Sequence, residues 1–121
     1  MSDWTGRIGF DGLTGWWTVP PLEAVGESLH DCRIPDLFIA AGDEGLRLDL
    51  SGLTSEGRRF SLSFFTQGPL EVSRREDPRP RPLRVAGQIT GCRQRDDWYA
   101  LDTIDLSVEL RSSMQAFDWL V

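Results

Sequence analysis

The chain has 121 residues, with 19 acidic and 13 basic side chains and a net charge of −6. This length suits one domain with a single core, so we predict one all-β domain over residues 1–121. The negative charge argues against a nucleic-acid binder, which needs a basic surface to release counterions from phosphates, and favours a basic protein partner.

The predicted compartment is the cytoplasm. No stretch approaches the roughly 18 consecutive apolar residues that span a bilayer, and the first twelve residues lack the basic and apolar regions of a signal peptide. We therefore expect no membrane partner. Cys32 and Cys92 are far apart in sequence, and in a reducing compartment they are expected to be free, partly buried thiols.

The first elements along the chain are short. Strands are predicted over Trp4–Phe10 and Trp16–Val19. A helical turn or two is predicted in "PPLEAVGESL", begun by the prolines and ended near Gly26. The next strand is predicted over Ile34–Ile39.

Alternation of apolar and polar residues is the clearest signal in the rest of the chain. It predicts half-buried strands over Leu46–Leu50, Phe60–Phe64 and Ile104–Leu110, each with one wet face. Weaker strands are predicted over Leu70–Ser73, Leu83–Ile89, Trp98–Leu101 and Phe117–Val121. The segment "GCRQRDD" before Trp98 is predicted to be a turn. The fold class is therefore mainly β, an antiparallel meander forming a sandwich or a partly closed barrel, with at most one short helix.

One segment is compositionally biased. Residues 74–84, "RREDPRPRPLR", contain five arginines and three prolines. Proline cannot donate to a sheet ladder, so an exposed Pro/Arg-rich loop is predicted here. It would serve either as a solvated connection or as a docking arm.

Catalytic chemistry is sought first around His30, Asp31 and Cys32. Residues two apart on a strand hold their side chains about 6 to 7 Å apart, which suits a nucleophile and its base poorly. Zinc would need more ligands than one histidine and two distant cysteines. We therefore predict a non-enzymatic protein with no metal and no cofactor, in which His30 has a structural role. A carboxylate pair acting as a glycosidase is the enzymatic alternative.

Two surfaces are candidates for binding. Adjacent Trp16 and Trp17 would point to opposite faces of an extended segment, leaving one exposed to anchor a partner or stack on a sugar. The second surface is an acidic ridge on a hairpin near the C-terminus, able to steer a basic partner. Its members are Asp96, Asp97, Asp102, Asp105 and Glu109.

The segment "SLHDCRIPDLFIAAGDEGLRLDLSGL" resembles small β-rich bacterial immunity proteins, particularly the immunity protein 50 family. Leu29, His30 and Asp31 match the start of a strand in that family, and Leu46, Leu48 and Leu50 match its next strand. The resemblance implies direct, stoichiometric binding to a co-encoded toxin without catalysis. A small-ligand or carbohydrate-binding β module that uses exposed tryptophans is the alternative function.

Overall fold

The computed structural model describes residues 3–43, 45–74, 87–103 and 106–120. Within them the chain forms eleven strands, the short helix α1 (Pro20–Glu23) and one 3-10 turn (Leu29–Asp31). The strands are β1 (Trp4–Gly6), β2 (Gly9–Asp11), β3 (Trp16–Thr18), β4 (Arg33–Gly42), β5 (Gly45–Leu53), β6 (Arg59–Thr66), β7 (Leu70–Arg74), β8 (Gly87–Arg95), β9 (Trp98–Thr103), β10 (Leu106–Arg111) and β11 (Met114–Trp119). The predicted fold class, mainly β with at most one short helix, is confirmed.

Nine of these strands form one antiparallel sheet, in the order β1-β11-β6-β5-β4-β8-β9-β10-β7. Strands β2 and β3 form a separate hairpin. Between β4 and β8 the described pairing is Arg33 with Gln88 and Ile34 with Gly87. It is not closed into a barrel, because the described pairings of the end strands β1 and β7 are with β11 and β10 only.

The two halves of the sheet face each other across the core, as in a sandwich. The ring of Phe64 on β6 lies 5.4 Å from the ring of Tyr99 on β9, and Trp17 contacts both. Large apolar side chains on both inner faces are almost wholly buried. Burying such side chains contributes about 1.5 to 3 kcal/mol each, so this layer supplies most of the stabilisation.

The strands with the clearest alternation face the core as predicted. Phe60, Leu62 and Phe64 are fully buried, and Leu48 and Leu50 are nearly so. The side of β6 that was predicted to face solvent is less exposed than predicted. Ser63 is buried there, and its hydroxyl is satisfied by donating to the Asp49 carboxylate of β5 at 2.6 Å.

The N-terminal segment forms two strands, so the prediction of one continuous strand over Trp4–Phe10 is wrong. Between β1 and β2, the backbone of Ile8 bonds to side chains. Its N–H donates to Oε1 of Gln115 at 2.9 Å, and its carbonyl accepts from the Tyr99 hydroxyl at 3.0 Å. These two contacts replace ladder pairing and fix the segment against the core.

Several predicted boundaries are corrected. Strand β8 continues to Arg95, although "GCRQRDD" was expected to be a turn. The turn is confined to two residues, with Asp96 at a φ of 55°, a conformation that aspartate tolerates better than most residues. Strand β11 begins at Met114, earlier than the predicted Phe117, and ends at Trp119.

Helix α1 and its end agree with the prediction. Two prolines begin it, and Gly26 lies just beyond at a φ of 75°. Residues 75–84 of the predicted Pro/Arg-rich loop lie outside the described residues, as does the first part of the strand predicted over Leu83–Ile89. Across the described ranges, no helix combines the length and apolar character needed to cross a bilayer.

Candidate functional site

The outer side of strands β7 to β10 carries rows of mainly polar and charged side chains, which we call the charged face. The register aligns these side chains in rows across the strands. Its members are Glu71, Ser73, Arg93, Arg95, Trp98, Ala100, Asp102, Ser107, Glu109 and Arg111. The alternate residues of these strands point inwards and are buried: Tyr99, Leu101, Val108 and Leu110. The charged face is therefore supported by the packed core.

The centre of the charged face is an arginine between two carboxylates. The Arg93 guanidinium lies 3.5 Å from the Glu109 carboxylate and 3.9 Å from that of Asp102. The Ser107 hydroxyl donates to Asp102 at 2.6 Å. The predicted acidic ridge is therefore interleaved with arginine, because β8 runs beside β9 and brings its own outer residues to the same surface.

One edge of the charged face carries excess negative charge. Glu71 on β7 lies directly opposite Glu109 on β10. Opposed like charges on adjacent strands are unfavourable. Within the described residues Glu71 has no ion pair, so this edge favours the approach of a positively charged group.

The other end of the face combines an aromatic ring with opposite charges. Trp98 is 37% exposed, and the Arg111 guanidinium lies 4.9 Å from its ring centre. The Asp97 carboxylate contacts the same guanidinium at 3.5 Å. Tryptophan and arginine are the side chains that most often dominate binding energy at protein interfaces.

The remaining predicted acids contribute less to this surface. Asp96 occupies the β8–β9 turn, where its carbonyl accepts from Arg7 at 2.7 Å and from Gln94 at 2.5 Å. Asp105 lies outside the described residues. The structure thus brings together Asp102 and Glu109, and places Asp96 and Asp97 at the far end of the hairpin.

Trp16 and Trp17 point in different directions, as predicted, but neither is freely exposed. The Trp17 side chain is in the core, where its indole N–H donates to the Arg93 carbonyl at 2.9 Å. Trp16 is half-buried, with the His30 ring 4.8 Å from its own. Trp17 is therefore not available to a partner in this conformation, and Trp98 is the more accessible tryptophan.

The segment around His30 contains no assembled nucleophile and base. His30 is exposed, and its Nδ1 lies 3.2 Å from the Asp31 carboxylate. The Cys32 thiol instead donates to the Ser28 carbonyl at 3.3 Å. Among the described residues, no group of three or more histidine, cysteine or acidic side chains is placed to hold a metal ion.

The exposure of His30 changes the expected effect of removing it. The predicted structural role would have involved a buried hydrogen bond, but the side chain is 61% exposed. His30→Ala is therefore expected to lower the free energy of unfolding by about 0.5 kcal/mol at most, since exposed pairs contribute little. Urea denaturation of both proteins measures this, and a loss above about 1.5 kcal/mol would show a larger structural role.

Cys32 and Cys92 are both free, as predicted, and they are buried, whereas partly buried thiols were predicted. Burial raises the pKa of the Cys32 thiol to about 12, and the negative charges of Glu27 and Asp31 add to the effect. Burial likewise raises the pKa of Cys92 to about 12. Both groups are therefore protonated at neutral pH and unsuited to nucleophilic chemistry.

These thiols give a pH-dependent prediction. Their pKa values rise on folding from 9.0 to about 12. Their contribution to stability is therefore complete below pH 9 and is lost as the pH rises from 9 towards 12. At pH 8 we expect both thiols to resist a thiol reagent in the native protein and to react in urea. Rapid native labelling of either thiol would contradict this.

An open groove of about 810 Å³ adjoins the Trp98 end of the charged face. Arg111 belongs to both. Its ion-pair partner Asp97 also lines the groove, and the β4–β5 hairpin, the end of β6 and Met114 form the other walls. Its mixture of apolar walls and one ion pair offers a second, smaller place for a ligand.

No family model, curated protein or solved structure matches the chain. The site is therefore interpreted from its own residues. Arg93 and Glu71 were not identified as site residues from the sequence. A signal for Arg93 was present, since Arg93 and Arg95 alternate with Cys92 and Gln94 as on a strand, but the neighbouring glycine and aspartates were interpreted as a turn.

Proposed function

We propose that this protein is a protein-binding module that neutralises a co-encoded bacterial toxin by forming a stoichiometric complex in the cytoplasm. The proposal rests on the charged face. There the exposed Trp98 lies beside Arg111, which is paired with the Asp97 carboxylate, and the strands are packed on the core. Such a surface suits an interface with an aromatic anchor and a polar rim.

The charge distribution specifies the kind of partner. Arg93 and Arg95 line the β8 side of the face, and Glu109 and Glu71 line the β10 and β7 side. Arg111, at the end of β10, is paired with Asp97. A polyphosphate would meet repulsion from Glu71 and Glu109, whereas a folded protein can match both signs. The net charge of −6 adds long-range attraction for a basic protein. The expected partner is therefore a protein with a basic patch that meets the Glu71 and Glu109 edge.

Neutralisation needs no chemistry from this chain. The Coulomb field would raise the rate of encounter, and docking of Trp98 would exclude water around the central contacts. A toxin whose basic substrate-binding surface is covered in this way would lose access to its substrate. The inhibitor acts by occupancy, so one copy is consumed for each toxin molecule.

Charge reversal at the acidic edge tests the surface. Glu71→Lys/Glu109→Lys is expected to slow association with the partner about tenfold at low salt, because steering depends on charge of the correct sign. The difference should shrink as salt rises, since the Debye length falls to about 8 Å at physiological ionic strength. Association rates measured by stopped-flow fluorescence at two salt concentrations give this comparison.

The matched control is Glu23→Lys/Glu56→Lys, which makes the same change in net charge at two exposed residues outside the charged face. Glu23 ends helix α1, and Glu56 lies in the turn between β5 and β6. We expect a smaller change in the association rate for this control. Equal slowing by both double variants would mean that net charge matters and the charged face does not.

The function itself is tested by co-expression. The product of the gene beside this one would be expressed in bacteria under an inducible promoter, with and without this chain. The proposal predicts arrest of growth by that product alone and growth restored by this chain at equal or higher expression. Continued arrest, with this chain soluble and folded, would refute toxin neutralisation.

The second candidate function is binding of a small ligand or carbohydrate. The open groove favours it, because the Asp97–Arg111 ion pair that lines it can hydrogen-bond a sugar, and the Trp98 ring next to Arg111 can stack on the same sugar. Tryptophan fluorescence during titration with a panel of monosaccharides and disaccharides distinguishes the two candidates. Saturable quenching that is lost in Trp98→Ala would favour this candidate over toxin neutralisation.

A further inference from the structure

The pairing of strands β4 to β11 contains a repeat. In chain order, β4, β5 and β6 form an antiparallel meander, and β8, β9 and β10 form a second meander beside it. Strand β7 follows β6 in the chain but pairs with β10, and β11 follows β10 but pairs with β6. The chain therefore forms two sets of four strands that have the same order and exchange their last strands.

The register of the two sets also agrees. The row of paired residues through β4, β5 and β6 that contains Ser51 matches the row through β8, β9 and β10 that contains Asp102: Asp36–Ser51–Ser61 and Gly91–Asp102–Ser107. When these rows are taken as equivalent, the core residues coincide as well. Four equivalent pairs have both side chains buried: Leu48 and Tyr99, Leu50 and Leu101, Leu62 and Val108, Phe64 and Leu110.

Both sets have a register shift at the same position. On β4, one extra residue relative to β5 lies between Arg33 and Asp36. On β8, one extra residue relative to β9 lies between Ile89 and Gly91. Regular pairing resumes at Asp36 and Gly91, which are equivalent. Because β-bulges are retained within protein families, a bulge shared in this way indicates a common origin of the two sets.

The two connections that lead to the exchanged strands begin in the same way. Thr66, after β6, and Ser112, after β10, are equivalent and buried. Each hydroxyl lies within hydrogen-bonding distance of the carbonyl oxygen two residues further along the chain, at 3.4 Å for Gly68 and 2.9 Å for Met114. Local contacts of this kind between a hydroxyl and the backbone stabilise a turn. Both strands therefore leave their own set through a similar turn.

The two sets meet at a point of local two-fold symmetry. Arg33 on β4 is paired with Gln88 on β8. These residues lie three positions before Asp36 and Gly91, respectively, so they are equivalent to each other. Pairing of equivalent residues on antiparallel strands is the contact that an isologous dimer makes. In this protein the same contact occurs within one chain.

We propose that residues 33–74 and 87–119 are two copies of one four-strand unit that arose by duplication, and that exchange of their fourth strands makes the two units fold only as a pair. Equivalent core residues now differ in type, as with Phe64 and Leu110. A core tolerates such changes while its apolar pattern is kept. The repeat is therefore visible in the strand pairing and not in the residue types.

Each unit lacks part of its core without the exchanged strand of the other. Phe117 on β11 is fully buried, and its ring stacks on that of Phe60 on β6 at 5.2 Å. Leu70 on β7 is partly buried against the core and lies opposite Leu110 on β10. Loss of either strand would expose apolar side chains to water, which is unfavourable. The exchange therefore makes the two units depend on each other.

The exchange also assembles the charged face. Glu71 on β7 comes from the first unit, whereas Glu109 on β10, which lies opposite it, comes from the second unit. The acidic edge of the charged face therefore requires both units in their paired form.

Disulfide formation in the full-length chain tests the exchange. Ser73→Cys/Ser107→Cys places two thiols directly opposite each other on β7 and β10. The Cα atoms of such pairs are about 4.5 to 5.5 Å apart, which a disulfide accepts. The matched control is Ser61→Cys/Ser73→Cys, because Ser73 would face Ser61 if β7 took the place of β11 beside β6. Cys32 and Cys92 are buried and should not interfere.

Mild oxidation followed by peptide mass mapping measures the yield of each disulfide. We expect the disulfide between positions 73 and 107 to form within one chain, with about tenfold less between positions 61 and 73, since the latter pair is on different halves of the sheet. An equal or greater yield in the control would overturn the exchange.

Hydrogen exchange tests whether the units fold only as a pair. Leu50→Val and Leu101→Val are matched variants, because these buried leucines are equivalent and lie one in each unit. Each change is small enough to leave the protein folded. We expect either variant to speed the slowest amides of β5 and of β9 by the same factor, about tenfold. A larger factor in the unit that carries the substitution, or no change in the other unit, would overturn the proposal.

Discussion

Gly52→Ala is expected to lower the free energy of unfolding by about 3 kcal/mol, since forcing extra volume into a packed core costs about 1 to 3 kcal/mol and sometimes more. Gly52 on β5 lies directly opposite Phe60 on β6. A Cβ at this position would overlap the Phe60 ring. That ring is fully buried and stacks on Phe117 at 5.2 Å, with Trp119 at its edge. It therefore has little room to move aside.

A double-mutant cycle distinguishes overlap with the ring from a general effect of losing glycine. Phe60→Leu removes the ring and leaves space beside Gly52, so the double variant should be destabilised by less than the sum of the two single variants. Gly12→Ala is the matched control, because a Cβ there would meet no atom within 4 Å. Urea denaturation followed by tryptophan fluorescence measures the four proteins of the cycle and the Gly12→Ala control. Strict additivity in the cycle would contradict the packing explanation.

Gln115→Leu is the second change for which we expect a large effect, a loss of about 2 to 3 kcal/mol. Gln115 is fully buried, and its two amide atoms have different partners. Oε1 accepts from the Ile8 N–H at 2.9 Å, and Nε2 donates to the Ser112 hydroxyl at 2.9 Å. Leucine fills a similar volume but leaves the Ile8 donor buried without a partner.

The loss of stability in Gln115→Leu should first allow local unfolding of the N-terminal segment and then unfolding of the whole domain. Ile8 connects β1 to β2, so its release should raise hydrogen exchange in the first eleven residues before the sheet unfolds. Gln67→Leu, at an exposed position, is the control and should change stability by less than about 0.5 kcal/mol. A Gln115→Leu protein as stable as the control would show that these bonds contribute no net stability.

The parts of the fold that local patterns encode were predictable. Phe60, Leu62 and Phe64 alternate with serines because one face of β6 is buried, and a period of two appears directly in the sequence. The long-range parts were not predictable. The two hydrogen bonds to the Ile8 backbone come from side chains more than ninety positions away, and no local sequence pattern predicts them.

The candidate site likewise has parts that local sequence patterns predicted and parts that depend on long-range strand pairing. Asp102 and Glu109 were predicted to share an acidic surface, and their strands do bring them to one face. The arginine between them was missed, because the end of β8 is set by its pairing with β9, whereas the composition of "GCRQRDD" is typical of a turn. Trp16 was a candidate for exposure, but the His30 ring, from a separate segment of the chain, covers part of it.

The central claim, that a partner protein binds at the charged face, is tested most directly by hydrogen exchange of this chain free and in complex with the product of the adjacent gene. Amides respond to burial by a partner residue by residue, so the footprint locates the interface. We predict slowed exchange across β9 and β10, from Trp98 to Arg111, with little change in helix α1 or in the turn at Glu56. Slowed exchange confined to the side of α1, with β9 and β10 unchanged in a saturated complex, would contradict the account.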